Sequence, residues 1–482
     1  MSVRHLLHVV GAVVGAVGLA MLSGAGVALL YREWSVALWI AVAAAITVAV
    51  GGGLWRYFDR PGELSPREGF AAVGLAWMAI CLFGSLPYLL TGAVPGITDA
   101  VFESTAGFTT TGSSIVADPG LLPHGILFWR SLTQWIGGMG IIVLSIAILP
   151  LLGMGAVQLA KAESPGPTPD RLTPRFADTA KRLWAVYAVL TLVEALLLWA
   201  GDMTLFEGVN HALTTMSTGG FSTNAGSLGA YSAYAQWVVI GFMVLAGSSF
   251  ALHYKALSDP RAYLRSAEFK LYLAILGVAS VVMAFGTWGG SIHDGVRNAI
   301  FTSATLVTTT GYGTVDFAVW AVGLEIAVVG LMFVGGMAGS TSGSVKVYRL
   351  DVLYNASRMD VRRLIHPRGV FVTRIGKDPV PDTVVEATQT FFLLYMFAFM
   401  TGTFLLATVG TVGAGSLDMV ETVSAVATSI GNVGPALGEL GPAGNFIPVP
   451  EAGKWILAAL MVIGRLEILP ILILFNRELW AR

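Results

Sequence analysis

Long apolar stretches separated by short polar segments extend along nearly the whole chain. Each stretch contains roughly 20 residues or more, which is the length that an α-helix needs to cross the hydrocarbon core of a bilayer. Ten stretches fit this description, at residues 6–30, 36–55, 69–91, 125–152, 183–200, 234–253, 270–288, 318–350, 385–409 and 452–475. The pattern therefore predicts an all-α integral membrane protein.

The composition agrees with a membrane protein and excludes several other classes. Of the 482 residues, 55% are hydrophobic and only 12% are charged, whereas soluble domains carry about 25% charged residues. The net charge of −1 gives no reason to expect a nucleic-acid partner, and the single Cys81 excludes an intrachain disulfide. The first apolar stretch is longer than the ~7–15-residue core of a signal peptide, so we expect it to remain as a span.

Basic and acidic residues occupy different loops between the predicted spans. Lysine and arginine concentrate in segments 56–67, 153–182, 254–270 and 346–382, whereas acidic residues dominate segments 92–123, 201–233, 289–317 and 410–448. Basic loops remain in the cytoplasm. The first set is therefore predicted to face the cytoplasm, and ten spans then place both termini there.

The four acidic segments each contain a cluster of threonine or serine with glycine. The clusters are residues 109–113 (TTTGS), 217–221 (STGGF), 308–313 (TTTGYG) and 429–434 (SIGNVG), and each follows about ten residues of amphipathic, helix-compatible sequence. Any one cluster could simply be part of an ordinary loop. Four clusters in the same place between two spans instead indicate an internal repeat.

The repeat predicts a specific membrane architecture. Backbone outside a helix is tolerated at membrane depth only where protein buries it or it lines a water-filled path. Four such segments most simply meet on a common axis, where rings of carbonyl oxygens replace the hydration shell of a cation. We therefore predict four pseudo-symmetric helix–pore-loop–helix repeats around a central ion pore, preceded by two extra N-terminal transmembrane helices. The expected units are residues 1–60, 61–160, 161–258, 259–360 and 361–482.

Several motifs are similar to those of one known family. Residues 308–313 (TTTGYG) resemble the filter signature of potassium channels, and the four-repeat plan resembles the Trk/Ktr/HKT potassium-transporter superfamily. Within it, the two extra spans and residues 464–468 (GRLEI) most resemble the Trk-type membrane subunits. Further similar segments are residues 217–223 (STGGFST), 339–346 (GSTSGSVK) and 432–438 (NVGPALG). The resemblance covers essentially the whole chain.

The resemblance implies a potassium selectivity filter with one key glycine in each repeat. These glycines would be Gly112, Gly219, Gly311 and Gly431, with Asn432 as an alternative in the fourth repeat. Glycine at the first position implies preference for potassium over sodium. The full set of expected filter residues is Thr110, Thr111, Gly112, Thr218, Gly219, Thr309, Thr310, Gly311, Ile430, Gly431 and Asn432. Potassium is then the transported ion, and no organic cofactor is expected.

The span at 318–350 contains residues that disfavour a continuous helix. Gly335, Gly336, Gly339 and Gly343 fall within nine residues, and each glycine costs about 1 kcal/mol relative to alanine in a helix. We predict a break there, and the resemblance implies that the broken segment, with Lys346, gates the pore from below. A phosphate-binding loop is disfavoured, because the segment lacks the Gly-Lys-Ser/Thr ending and lies in a membrane span.

Arg465 lies within the last predicted span, where an ionisable residue is usually functional. It could instead pair with Glu467 or extend to the membrane surface. The resemblance implies a position in the pore below the filter, where its charge would oppose the passage of cations. Arg130, Gln134 and Trp135 resemble the start of a helix that lines the outer path, and the sequence assigns them no direct role.

The function expected from these features is potassium uptake across the bacterial inner membrane, without enzymatic chemistry. The resemblance implies a homodimer that associates with a cytosolic nucleotide-binding regulatory subunit. The basic residues of segments 153–182 and 346–382 would suit its docking, although membrane topology alone explains them equally well. A sodium-dependent Ktr-like transporter or a sodium-permeable relative remains an alternative. A membrane enzyme is disfavoured because no nucleophile or metal motif accompanies the acidic residues.

Overall fold

The computed structural model describes residues 3–58, 66–148, 173–288, 291–369, 371–376, 378–412 and 417–475. These residues are mostly helical, which confirms the predicted all-α class. Within the described ranges the sheet content is one antiparallel pair of two-residue strands, Arg374–Ile375 and Asp378–Pro379.

Two N-terminal helices, Val3–Leu30 and Trp34–Tyr57, precede the repeated part of the chain. They pack against each other along a row of glycines that includes Gly11, Gly15 and Gly51. A β-carbon on Gly11 would lie 2.6 Å from the backbone nitrogen of Trp55, which is too close for any other residue. Small residues let helix backbones approach closely in membranes. The pair corresponds to the two extra helices that the sequence predicts.

The rest of the described chain repeats one order of elements four times, namely an outer helix, a half-helix, a turn and an inner helix. The outer helices are Pro66–Phe83 with its continuation Leu86–Thr91, Thr173–Trp199, Ala267–Thr287 and Asp382–Val412. The half-helices are Ile97–Phe108, Leu205–Met216, Ile292–Val307 and Met419–Gly431. The inner helices are His124–Ile148, Ala233–Ala246, Val322–Met332 and Glu451–Arg465. We number the repeats 1 to 4 in chain order.

A short 3-10 helix lies between turn and inner helix in every repeat, at Pro119–Leu121, Ser227–Ala230, Phe317–Val319 and Gly438–Leu440. The half-helices of repeats 2 and 4 begin with capping boxes, formed by Thr204 with Glu207 and by Asp418 with Glu421. Each box satisfies amide groups at the start of the helix that have no partner within it. In these two repeats the capping box fixes the residue at which the half-helix begins.

Six helices of the described chain are long and apolar enough to cross a membrane, and two bent helix pairs raise the number to eight. Inner helix 2 bends by 99° before Phe250–Ala256, and inner helix 4 bends by 115° before Leu469–Phe475. The sequence pattern did not predict these two breaks. The break predicted in span 318–350 is present, between Met332 and Val347. The predicted span 125–152 is helical to Ile148, and its end lies outside the described residues.

The outer helices present large apolar side chains on the protein surface. Phe285 in repeat 3 is 76% exposed and Phe397 in repeat 4 is 71% exposed. An apolar surface of this kind is stable against lipid and unfavourable in water. By contrast, the C-terminal halves of the half-helices are almost completely buried. The chain is therefore a multi-pass membrane protein whose half-helices converge on its interior.

Candidate ion pathway

The four turns after the half-helices have the same backbone conformation. Each turn begins with a residue in the left-handed region, with φ of +52° at Thr110, +54° at Thr218, +56° at Thr309 and +54° at Asn432. Two residues later comes a glycine with positive φ, namely Gly112, Gly220, Gly311 and Gly434. Left-handed threonine is rare because its branched side chain is crowded there. Its recurrence at the same place in three repeats, with asparagine in the fourth, establishes that the turns are equivalent.

The hydrogen bonds of the turns repeat as well. The amide of the middle residue donates to a carbonyl five residues earlier, for example from Thr111 to Ala106 and from Val433 to Thr428, both at 2.9 Å. In repeats 1 to 3 the amide of the glycine bonds to the same carbonyl, but Gly434 bonds instead to the side chain of Thr428. The amide groups of the turns therefore donate hydrogen bonds to acceptors in their own repeat.

Contacts between the turns form a closed ring. In every repeat the glycine lies against the carbonyl oxygen of the middle residue of the next repeat. A β-carbon would lie under 3.0 Å from that oxygen for Gly112 against Gly219, Gly220 against Thr310, Gly311 against Val433, and Gly434 against Thr111. The order 1 to 2 to 3 to 4 and back to 1 requires that the turns surround one axis. Only glycine fits at these positions, by φ and by space.

One cavity opens on this ring. Its volume is about 140 Å³, and all four positive-φ glycines line it together with Ser113, Ser114, Arg130 and Asn445. The lining consists largely of backbone and small polar side chains. An ion entering this vestibule therefore meets the four turns at once.

In two turns the structure places the turn glycine at a different residue from the one that the sequence predicts. Repeats 1 and 3 have the expected glycines, Gly112 and Gly311. In repeat 2 the positive-φ glycine is Gly220, and Gly219 is the middle residue whose carbonyl contacts Gly112.

In repeat 4, Ile430 and Gly431 are the last residues of the half-helix, so they do not form the turn. Asn432 occupies the left-handed position, which asparagine tolerates better than most residues, and Gly434 is the turn glycine. The signal missed in the sequence is a threonine or asparagine two residues before glycine, which is present in all four repeats.

Polar side chains connect neighbouring turns. The Tyr312 hydroxyl lies 2.5 Å from Thr214 Oγ1, which links repeat 3 to repeat 2. Asn432 Nδ2 donates to Thr111 Oγ1 at 2.9 Å, which links repeat 4 to repeat 1. Because these groups are buried, each bond also avoids the cost of an unsatisfied polar atom. Side-chain hydrogen bonds between neighbouring repeats therefore also stabilise the ring.

The segment between Met332 and Val347, here called the loop, covers the other side of the ring. The amide of Gly343 donates to Thr309 Oγ1 at 2.7 Å, so the loop touches the third turn directly. Thr341 Oγ1 donates to the carbonyl of Met216, the last residue of half-helix 2, at 3.0 Å. The loop therefore contacts the beginnings of the turns, on the side of the ring opposite the vestibule.

The glycines predicted in the loop are required by close backbone packing. A β-carbon on Gly335 would overlap the Gly343 oxygen, and one on Gly336 would overlap the Gly247 oxygen. A β-carbon on Gly343 would overlap the Gly431 oxygen, and Gly339 has a φ of +75°. The loop is therefore packed against the inner parts of repeats 2 and 4 with no space for side chains at three of these positions.

Arg465 is buried and connects the loop to repeat 1. Its Nη1 donates to the Thr341 carbonyl at 2.7 Å, and its Nη2 donates to the Gly137 carbonyl at 3.2 Å. The alternative pairing with Glu467 is absent, since that carboxylate bonds to Arg349 at 2.5 Å. Arg465 therefore links the loop to the inner helix of repeat 1.

Positive charge exceeds negative charge on this side of the ring. Lys346 is buried and donates to the Ser342 carbonyl. Lys346, Arg349 and Arg465 are three cationic groups near two carboxylates, those of Glu467 and Glu268. Charges interact strongly at low dielectric, so an excess of positive charge here creates a positive electrostatic potential on this side of the ring.

The chain resembles known cation transporters over its full length. Residues 39–281 and 289–480 match the family model TrkH, described as cation transport protein. The Trk system potassium uptake protein TrkH of Halomonas elongata is 37% identical over 493 residues, and that of Escherichia coli strain K12 is 35% identical over 491 residues, with 100% of both chains covered in each case. The crystal structure of the potassium transporter TrkH from Vibrio parahaemolyticus matches 100% of both chains with a TM-score of 0.91 and 34% identity. The chain therefore belongs to the TrkH family of cation transport proteins.

Proposed function

We propose that this protein takes up potassium ions across a membrane through the ring of four turns. The observation that carries the proposal is the cyclic contact of each turn glycine with the next repeat's carbonyl. Four backbone segments that surround one axis can replace the water around a dehydrated cation. The names of the relatives, which are potassium uptake proteins, support potassium as the ion.

The filter residues follow from the equivalent positions in the turns. Backbone oxygens of the turns are the expected ligands, in the order left-handed residue, middle residue and glycine. They belong to Thr110, Thr111, Gly112, Thr218, Gly219, Gly220, Thr309, Thr310, Gly311, Asn432, Val433 and Gly434. The C-terminal ends of the four half-helices carry partial negative charge and face the same axis, which favours a cation. No covalent chemistry is involved.

The loop and Arg465 act as the gate in this proposal. Gly335, Gly336, Gly339 and Gly343 let the loop pack below the ring, and Lys346 adds positive charge at its end. Opening requires the loop to leave Thr309 and the Arg465 guanidinium to release Thr341. The loop is also held by the Met337 amide, which donates to the Gly247 carbonyl at 2.8 Å, and by Glu268, which accepts from the Ala338 amide at 2.7 Å. Opening therefore requires a regulatory input that binds the open state better than the closed one.

Regulation and assembly follow the family pattern in this proposal. The protein is a homodimer of the inner membrane, with both termini in the cytoplasm, and it associates with a cytosolic nucleotide-binding subunit. The helix Val347–Ile365 ends in exposed Arg358, Arg362 and Arg363, which offer a basic docking surface. Most of the basic segment 153–182 lies outside the described residues. The five sequence units ending at residues 60, 160, 258, 360 and 482 remain the proposed division of the chain.

Rubidium uptake into proteoliposomes tests the proposal. Purified protein should accumulate radioactive rubidium down an imposed gradient, and external potassium should compete with it while sodium should not. Uptake that requires sodium would favour the sodium-dependent Ktr-like alternative. Absence of rubidium flux above that of empty liposomes, with and without sodium, would overturn the proposal.

A further inference from the structure

The four inner helices differ in residue type at an equivalent buried position. They begin at His124, Ala233, Val322 and Glu451. Counted from these starts, the eleventh residues are Gln134, Met243, Met332 and Met461, all 0% exposed. Three repeats thus use methionine where repeat 1 uses glutamine. The pseudo-symmetry makes this glutamine a specific departure from an apolar pattern.

Both ends of the Gln134 carboxamide bond to the second turn. Its Nε2 donates to the Gly219 carbonyl at 2.7 Å, and its Oε1 accepts from the Phe221 amide at 3.1 Å. A backbone amide can only donate, so Oε1 must face Phe221 and Nε2 must face Gly219. Gly219 has no room for a β-carbon because the Gln134 carboxamide occupies that space. The contact therefore depends both on the carboxamide of Gln134 and on the absence of a side chain at Gly219.

The Gly219 oxygen is one of the four ring oxygens. The other three belong to Thr111, Thr310 and Val433. Among the described residues, those three oxygens accept no side-chain hydrogen bond, whereas the Gly219 oxygen accepts one from Gln134. The ring therefore has three oxygens without a side-chain donor and one that is tethered from outside.

Arg130, one helical turn before Gln134, fixes the same turn from a second direction. Its guanidinium lies 4.1 Å from the centre of the Phe221 ring and donates to the Ser222 carbonyl at 3.4 Å. Its Nε donates to the buried Glu103 carboxylate at 2.8 Å. The seventh residues of the other inner helices are the apolar Val239, Val328 and Leu457. Arg130 and Gln134 are thus polar where the other inner helices are apolar. They distinguish the boundary between repeats 1 and 2 from the other three boundaries.

We propose that Gln134 is a specificity-determining positioning residue, which sets potassium preference by tethering the Gly219 carbonyl of the ring. The inference rests on the proposed function. A tethered carbonyl cannot swing toward the axis, so the ring cannot contract around the smaller sodium ion. Potassium, which fits the ring without contraction, is unaffected by the tether. Gln134 does not itself touch the ion.

Gln134→Met is the most direct test, because methionine is the residue that the other three repeats carry at this position. The substitution preserves apolar packing but removes both hydrogen bonds. The ratio of rubidium to sodium uptake in proteoliposomes should fall roughly 5-fold, as expected for the loss of one or two buried hydrogen bonds. Met243→Leu, at the equivalent position of repeat 2, is the matched control and should leave the ratio unchanged.

Gln134→Leu is a second test, because leucine is apolar and of similar size. Leucine neither accepts from the Phe221 amide nor donates to the Gly219 carbonyl. The ratio should therefore stay low in this variant, as in Gln134→Met. A ratio equal to that of the unmodified protein in both variants would overturn the role of Gln134.

The two proposals fail in different ways. If the unmodified protein takes up no rubidium, the proposed function fails. If it takes up rubidium selectively and Gln134→Met is equally selective at equal total uptake, only the assignment of Gln134 fails. Equal elution of all variants as a single species on size-exclusion chromatography excludes misfolding as the cause of a changed ratio.

Discussion

The ring of turns and the layer beneath it are built in opposite ways. All four repeats contribute the same backbone conformation to the ring, and each turn contacts the next. The layer beneath comes mainly from two repeats, namely the loop of repeat 3 and Arg465 of repeat 4. A structure that must surround an ion needs contributions from every side.

The two regions also differ in what holds them together. The ring is fixed by glycine packing between repeats and by hydrogen bonds of the turn amides within each repeat. The loop is held by backbone hydrogen bonds to Gly247 and Phe250 of repeat 2. It is also held by hydrogen bonds with the side chains of Glu268, Thr309 and Arg465 and from its own Thr341, and a neutral bond of this kind contributes about 1 kcal/mol. We therefore expect changes in the ring to alter ion choice and changes below it to alter the amount of flux.

The largest effect is expected from Gly112→Ser. The new side chain would have to adopt a φ of +83° and would overlap the Gly219 oxygen of the ring. Strain of this kind costs roughly 1–3 kcal/mol, so the ring should open and admit sodium. We expect the ratio of rubidium to sodium uptake to fall about 30-fold, or ~2 kcal/mol, measured in proteoliposomes.

Gly241→Ser is the control for this change. Gly241 lies on an inner helix, and a β-carbon there would meet no other part of the protein within 4 Å. The uptake ratio of this variant should equal that of the unmodified protein. An unchanged ratio in Gly112→Ser would remove the first turn from ion selection.

A smaller effect, on flux and not on ion choice, is expected from Arg465→Ala. The substitution removes the guanidinium that bonds to Thr341 and Gly137, together with a positive charge on the pathway. Hydrogen bonds from charged groups contribute ~1.5–3 kcal/mol, so basal rubidium flux should rise about 10-fold with the ion ratio preserved. Arg265→Ala, which removes an exposed arginine, should leave the flux unchanged. Lower or equal flux in Arg465→Ala would contradict its role in holding the loop.

The smallest effect is expected from Thr309→Val, which removes the single hydrogen bond between the third turn and the Gly343 amide. Valine has nearly the same shape as threonine, so the backbone of the turn should persist. Basal flux should rise about 5-fold, corresponding to ~1 kcal/mol. Thr403→Val, in the outer helix of repeat 4, is the matched control. A fall in flux without a rise would mean that the loop does not use this contact to stay closed.

Much of the architecture was predictable from apolar pattern and from the four glycine clusters. The break in repeat 3 was visible because four glycines fall close together. The bends after Ala246 and Arg465 were not, because the surrounding residues are apolar and only tertiary packing interrupts the helices. At the second bend, Glu467 and Ile468 have positive φ, a conformation that nothing in their side chains indicates.

The register of the turns was predictable only in part. Gly219 and Gly220 are adjacent, so composition alone could not identify which has positive φ. In repeat 4, Gly431 looks like a turn residue but ends the half-helix, and Asn432 takes the left-handed position. The proposed role of Gln134 was not predictable from the sequence, because this glutamine differs from its counterparts only when the four inner helices are aligned at their observed first residues.

The most direct test of the account is a structure of the protein determined in rubidium, with anomalous scattering used to locate the ions. The account predicts density on the axis, encircled by the carbonyl oxygens of Thr111, Gly219, Thr310 and Val433. Ions bound elsewhere, with none at the ring, would contradict the assignment of the four turns as the ion filter.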